Sequence, residues 1–110
     1  MSLEPTPLET ALLEEFHRLY GERGFPAPEA VRLLRRENTG AGRFVHLGVE
    51  DEMTREEGPL DLGGHYIEMK GVPYGLMALV HVRDRRPEYL EIVVYGNEGW
   101  DGVERAWSLV

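Results

Sequence analysis

Apolar residues in the first 24 positions recur with the period of an α-helix. The repeat places one apolar stripe on a common face, formed by Leu8, Leu12 and Phe16. The sequence Thr6-Pro7-Leu8-Glu9 is typical of a capping box, in which the first and last residues satisfy each other's backbone amides. A proline at the first helical position costs no hydrogen bond. The pattern predicts an amphipathic helix over residues 7–22.

The segment that follows allows two interpretations. Residues 29–36 contain good helix formers behind Pro28, which could open a helix. However, Val31 and Leu33 precede the turn-rich residues 38–42, which favours a strand entering a hairpin. The return strand extends to Val49, and its inward side chains are either those of Phe44 and His46 or those of Val45 and Leu47. We favour strand–turn–strand.

Three further runs are typical of strands, at residues 65–69, 76–82 and 89–95. The middle run is the most apolar, so we expect it to be central in a sheet. The short link at residues 83–87 requires the last two strands to be antiparallel. Strand alternation gives the last run one apolar face, which should pack under the helix and consists of Leu90, Ile92 and Val94.

Together these elements predict the fold class. The chain of 110 residues fits one domain, residues 1–110. We expect an α+β fold in which the N-terminal helix packs on one face of a roughly five-stranded, mainly antiparallel sheet. Residues 50–64 are rich in charge and glycine and are interpreted as an exposed loop.

The net charge of the chain indicates which partners it can bind. The chain has 20 acidic and 12 basic residues and a net charge of −8. Binding to a nucleic-acid backbone depends on clustered Lys and Arg, so we expect no nucleic-acid partner. An acidic protein attracts basic proteins. The candidate contact residues are the acids of the middle loop, Glu50, Asp51, Glu52, Glu56 and Glu57.

Other protein classes are disfavoured by what the sequence lacks. There is no cysteine, which excludes disulfides and thiolate metal sites. No apolar run approaches the roughly 18–20 residues of a membrane helix, so we expect no membrane partner. The N-terminus has no basic region and no apolar signal core, and we therefore expect a cytoplasmic protein. Nothing in the sequence points to a cofactor.

Candidate catalytic residues are few. Glu68 and Glu91 fall in the middle of predicted strands, where glutamate is disfavoured unless it is exposed or functional. Together with His81 and Tyr95 they could form an acid–base pair in a cleft. The alternative is two solvated glutamates on an open sheet face. Neither serine lies in a nucleophile motif, so the sequence favours a protein that is not an enzyme.

Histidines are the remaining metal ligands to consider. A site assembled across strands from His46, His65 and His81 is geometrically conceivable. None of the histidines belongs to a recognised metal-binding motif. We therefore expect no metal.

Several short motifs appear in a fixed order along the chain. They are RENTGAG at 36–42, LGG at 62–64, EMKG at 68–71, GLM at 75–77 and YLEIVVYGNEGW at 89–100. This order resembles a small family of uncharacterised bacterial proteins with the pattern RE-x-TG-x-G … LE-x-x-x-YG-x-E-x-W. The resemblance covers residues 30–102 and implies a compact α+β domain, with no established activity. The sequence departs from the pattern at Arg43, where an aromatic residue is expected.

Three functions are consistent with these features. The first is a small acidic interaction protein that binds a basic protein, for example a toxin-neutralising immunity-type protein. The second is a small-molecule-binding protein or enzyme that uses a carboxylate and histidine cleft on the sheet. The third is a homo-oligomer joined through the edges of its sheet.

Overall fold

The computed structural model describes residues 3–50 and 57–110. Helix α1 spans Pro7–Tyr20 and continues into a short 3₁₀ turn, Gly21–Arg23. The predicted capping box is confirmed: the Thr6 side chain accepts from the Glu9 amide, and the Glu9 carboxylate accepts from the Thr6 amide. The apolar stripe of α1 is buried against the sheet.

Across the described residues, seven strands form a single sheet in which every pairing is antiparallel. The main path runs β1-β2-β6-β5-β4-β7, and β3 pairs with β5 beside β4. The strands are β1 Arg32–Asn38, β2 Gly42–Gly48, β3 Gly58–Leu60, β4 Ile67–Met69, β5 Val72–Arg83, β6 Arg86–Val94 and β7 Trp107–Leu109.

The predicted fold class is confirmed, with more strands than the five expected. The two additional strands, β3 and β7, have three residues each, too few to give a clear alternating pattern. The ambiguous segment after Pro28 forms the strand that we favoured, β1, which follows a single 3₁₀ turn at Pro28–Ala30. The predicted hairpin between β5 and β6 turns at Asp84 and Arg85, both of which have positive φ.

Strand alternation separates an inner and an outer face of the sheet. The inner face contacts α1 and is fully buried at β5 and β6, through residues that include Leu76, Val80, Leu90 and Ile92. In β2, Val45 and Leu47 point inward, which settles the two alternatives for that strand. On the outer face the side chains are only half-buried, as an antiparallel sheet covered on one side allows.

A buried ionic network links α1 to the C-terminal segment of the chain around Glu104. The Glu9 carboxylate, which has no exposed surface, accepts hydrogen bonds from Arg36 at 2.6 and 2.7 Å and from Arg43 at 3.1 Å. Arg43 also binds Glu104 at 2.7 Å, and its guanidinium lies 5.0 Å from the ring centre of Trp100. A planar cation therefore lies where the sequence resemblance implied an aromatic residue.

The network changes the titration of Glu9. Burial alone would raise the pKa of this carboxyl, but hydrogen bonds from Arg36 and from the Thr6 amide, together with the charges of Arg36 and Arg43, lower it below its ordinary value. The carboxylate is thus held ionised inside the protein. We assign this network to stability, because its groups are engaged with one another.

In the part of the chain that the structure describes, no helix combines the length and the apolar character needed to cross a bilayer.

Candidate functional site

A bulge in β5 shapes the outer face next to β4. Ile67 pairs with Leu76 and Met69 pairs with Val72, so the single residue Glu68 faces the three residues 73–75. The surplus residues cannot remain in the plane of the ladder, and a bulge bends the strand. Tyr74 is consequently lifted out of the sheet and is 64% exposed.

Two tyrosine rings lie directly on glycines at this bulge. A Cβ on Gly75, whose φ is +75°, would be 2.7 Å from the Ile67 carbonyl oxygen and 3.1 Å from the Tyr66 ring. A Cβ on Gly96 would be 3.0 Å from the Tyr74 ring. Any side chain at these positions would push the rings away. The Gly75 carbonyl also accepts from the Tyr95 amide, which ties the bulge to the end of β6.

The bulge creates a cleft of about 760 Å³, which we call the tyrosine cleft. Its volume lies within the range of small-molecule sites in proteins. The side chains that give it polar character are Tyr66, Glu68, Lys70, Tyr74 and Ser108. Ser108 pairs directly with Glu68 across β7 and β4, so the two side chains share the outer face.

The charged groups of the tyrosine cleft are open to a ligand. The Tyr66 hydroxyl donates to Glu68 Oε1 at 3.0 Å, which leaves the second carboxylate oxygen free to accept. The side-chain ammonium of Lys70, the one lysine of the chain, has no hydrogen-bond or ion-pair partner among the described residues. Glu68 and Lys70 are two residues apart, with Cα atoms about 6.6 Å apart in extended chain.

The pKa of Tyr66 bears on whether this residue acts in proton transfer or in hydrogen bonding. Its hydrogen bond to Glu68 and the nearby negative charge raise the pKa of the phenol above its ordinary value of 10.0. A general acid or base that works near neutral pH needs a pKa shifted toward 7. The shift of Tyr66 is in the opposite direction, which favours a hydrogen-bonding role over proton transfer.

A second cleft of about 370 Å³ lies on the other side of the two tyrosines. Tyr66 and Tyr74 line both clefts, so the two spaces share a wall. Leu62, Met77 and Tyr95 line the second cleft together with the polar residues Asp61 and His65, and its lining is more apolar than that of the tyrosine cleft. The sequence candidate Tyr95 lies here, 42% exposed.

The four catalytic candidates from the sequence are not brought into one site. His81 Nε2 lies 3.1 Å from Glu91 Oε1, and the His81 ring stacks on Tyr89 with 4.3 Å between ring centres. Glu91 faces Leu79 in the register, whereas Glu68 lies beyond Leu76 on the far side of β5. The two glutamates are offset by two strand spacings across the sheet and by about four residues along the strands, which places them roughly 16 Å apart. They cannot form one carboxylate pair.

The acidic residues expected to bind a basic partner are only partly described. Glu50 is exposed at the end of β2, and the Glu57 carboxylate accepts from the Arg85 amide at 3.2 Å. Asp51, Glu52 and Glu56 lie outside the described residues. The partner-binding role of these five residues remains a prediction.

The three histidines considered for a metal occupy separate environments. His46 lies 3.3 Å from Glu37, His65 lies 3.2 Å from the Val110 carbonyl oxygen, and His81 contacts Glu91. Within residues 3–50 and 57–110, no three or more histidine and carboxylate side chains are grouped as a metal site would require.

Sequence reasoning missed the residues that build the cleft walls. Tyr66 and Tyr74 were not candidates, and neither was Lys70. The available signal was Gly75, a glycine next to the predicted strand at 76–82. A glycine within a strand often marks a bulge or a close approach of another backbone.

Comparison of the chain with known protein families, with curated proteins and with solved structures gives no significant match.

Proposed function

We propose that this protein binds a small polar molecule in the tyrosine cleft. The observation that carries the proposal is the bulge at residues 73–75, which places two aromatic rings beside a free lysine, a carboxylate and a hydroxyl. Binding sites for small molecules combine aromatic walls with a few well-placed polar groups. The cleft has this composition, and the absence of a side chain at Gly75 and Gly96 lets its two rings lie close to the backbone.

Binding fits the cleft better than catalysis. Among the described residues that line it, the hydroxyls belong to tyrosines and to Ser108, and no histidine lines the tyrosine cleft to activate Ser108. The Tyr66 phenol, whose pKa is raised above its ordinary value of 10.0, is protonated at neutral pH. The proposed function is therefore recognition of a ligand, with Tyr66 as a hydrogen-bonding group.

Native mass spectrometry of untagged protein purified from its own host tests this proposal. We expect a small-molecule mass increment on the wild-type protein and its loss from Tyr74→Ala. Tyr74 is mostly exposed, so its removal should leave the fold intact. Glu29→Gln serves as the control, because Glu29 precedes β1 at the opposite edge of the sheet. Bare wild-type protein, or an increment that Tyr74→Ala retains, would contradict the proposal.

A second proposal keeps the interaction function expected from the acidic sequence. It is supported by the outer face of the central strands, where Leu79 and Tyr89 are only half-buried. A basic protein that co-purifies with the chain would support it, provided that Glu50→Lys weakens the complex. An unchanged affinity in that variant would exclude Glu50 from the contact surface.

A further inference from the structure

The tyrosine cleft presents two opposite charges that do not neutralise each other. Glu68 lies in β4 and Lys70 directly follows that strand; both line the tyrosine cleft, and no ion pair joins them among the described residues. The pair offers an acceptor for a cation and a donor for an anion about 6.6 Å apart along the backbone.

This balance disfavours ligands that carry only one kind of charge. A plain anion would be attracted by Lys70 but repelled by Glu68 and by the negative field of the whole protein. A plain cation would face the reverse conflict at Lys70. A zwitterion satisfies both groups, with its carboxylate at Lys70 and its ammonium at the free oxygen of Glu68.

The other end of the site has a different chemistry. Tyr66 and Tyr74 form the wall shared with the second cleft, which also contains Met77 and Tyr95. Aromatic rings favour offset or edge-to-face contacts with another ring, and the methionine thioether also packs well against aromatic groups. A ring passing over this wall would contact three tyrosines and one methionine.

We infer that the ligand is an aromatic amino acid or a closely related zwitterion with an aromatic ring. The juxtaposition of the Glu68–Lys70 charge pair with the Tyr66–Tyr74 wall matches the ammonium, the carboxylate and the ring of such a molecule. This inference rests on the proposed function, because it assigns a ligand class to the same cleft. Ser108, directly across from Glu68, supplies one further hydroxyl for the charged head.

Two probes that share the same ring, one with a zwitterionic head group and one with a neutral head group, test the inference. L-tryptophan carries the ring and both charges, and N-acetyl-L-tryptophanamide carries the same ring without them. Binding is followed by titration of the ¹H–¹⁵N spectrum. We expect tryptophan to shift amides of residues 66–75 and to bind at least roughly tenfold more tightly than the neutral probe, since charge-assisted hydrogen bonds are lost.

Matched variants identify the groups responsible. Lys70→Gln and Glu68→Gln each remove one charge from an exposed side chain, so both should fold, and each should weaken tryptophan binding roughly tenfold. Neither substitution should weaken the binding of N-acetyl-L-tryptophanamide by as much as tenfold. Glu29→Gln, an exposed glutamate outside both clefts, should leave both affinities unchanged.

The outcomes separate this inference from the proposed function. Equal affinity for the two probes, or no binding of tryptophan to a protein that carries another small molecule from its host, would overturn the zwitterion assignment and leave the cleft as a binding site. Shifts that map outside both clefts would overturn both. Tryptophan binding that depends on Glu68, Lys70 and Tyr74 would support both.

Discussion

The substitution Gly75→Ala tests the origin of the tyrosine cleft. Gly75 has a φ of +75°, and an added Cβ would be 2.7 Å from the Ile67 carbonyl oxygen, a backbone atom that cannot rotate away. The left-handed conformation costs a residue with a Cβ about 1–2 kcal/mol. Overpacking against a fixed neighbour adds about 1–3 kcal/mol. We therefore expect Gly75→Ala to lower the free energy of unfolding by about 2–5 kcal/mol.

Gly40→Ala is the matched control. Gly40 has a similar φ of +87°, but a Cβ there would have no heavy atom within 4 Å. Its substitution should cost only the conformational component, about 1–2 kcal/mol. Urea unfolding measures both variants, and an unchanged slope would show that the same surface is exposed.

The difference between the two variants isolates the close approach at the bulge. We expect Gly75→Ala to be less stable than Gly40→Ala by about 1–3 kcal/mol, and to displace the Tyr66 ring from its position. Equal losses of stability would contradict the close approach of Gly75 to Ile67. A native-like Tyr66 environment in Gly75→Ala would contradict the role given to Gly75 in placing that ring.

Three further predictions concern charges. Glu9→Gln should lower the free energy of unfolding by about 3 kcal/mol, at the low end for a broken buried ion pair because Arg36 is partly exposed. Because the pKa of Glu9 is lowered in the folded protein, ionised Glu9 stabilises the fold above its ordinary pKa, and this stabilisation is lost as the pH falls through the lowered value. Urea unfolding at a series of pH values should show that loss in the wild-type protein and not in Glu9→Gln. Hydrogen bonds from Arg105 and from the Val103 amide hold the pKa of Asp101 at about 2, and NMR titration of Arg105→Gln should show it rising toward 3.8. The pKa of Tyr66, raised by Glu68, should fall toward 10.0 in Glu68→Gln, as followed by phenolate absorbance.

The sequence predicted those parts of the fold that depend on local periodicity. Helix α1, its capping box and the hairpin of β5 and β6 all follow from spacing within a few residues. Strand β7 was missed because Trp107–Leu109 is too short to show alternation and depends on pairing with β4, about 40 residues earlier.

The candidate site was harder to predict from the sequence, because it too depends on pairing between strands and not on local periodicity. Glu68 was a candidate because it falls within a predicted strand, and it does lie in β4, but its neighbours are set by the register of β4 against β5. A register shift cannot be derived from the alternation of either strand alone. Tyr74 fell between the predicted strands at 65–69 and 76–82 and was not singled out, although the bulge lifts it into the cleft wall.

The buried ionic network was likewise only partly predictable from the sequence. The sequence identified Glu9 as part of a capping box, and the hydrogen bond to Thr6 is present. Nothing in the local pattern indicates that Arg36 and Arg43 converge on the same carboxylate, because their approach depends on how α1 packs across β1 and β2.

The most direct test of ligand binding is the ¹H–¹⁵N spectrum of the labelled protein on addition of a protein-free small-molecule extract of its host. We predict shifts of the amides of Lys70, Gly71, Tyr74 and Gly75, which line the tyrosine cleft, and their absence in Tyr74→Ala. A spectrum that does not change, or shifts confined to residues outside the two clefts, would contradict the assignment of this cleft as the binding site.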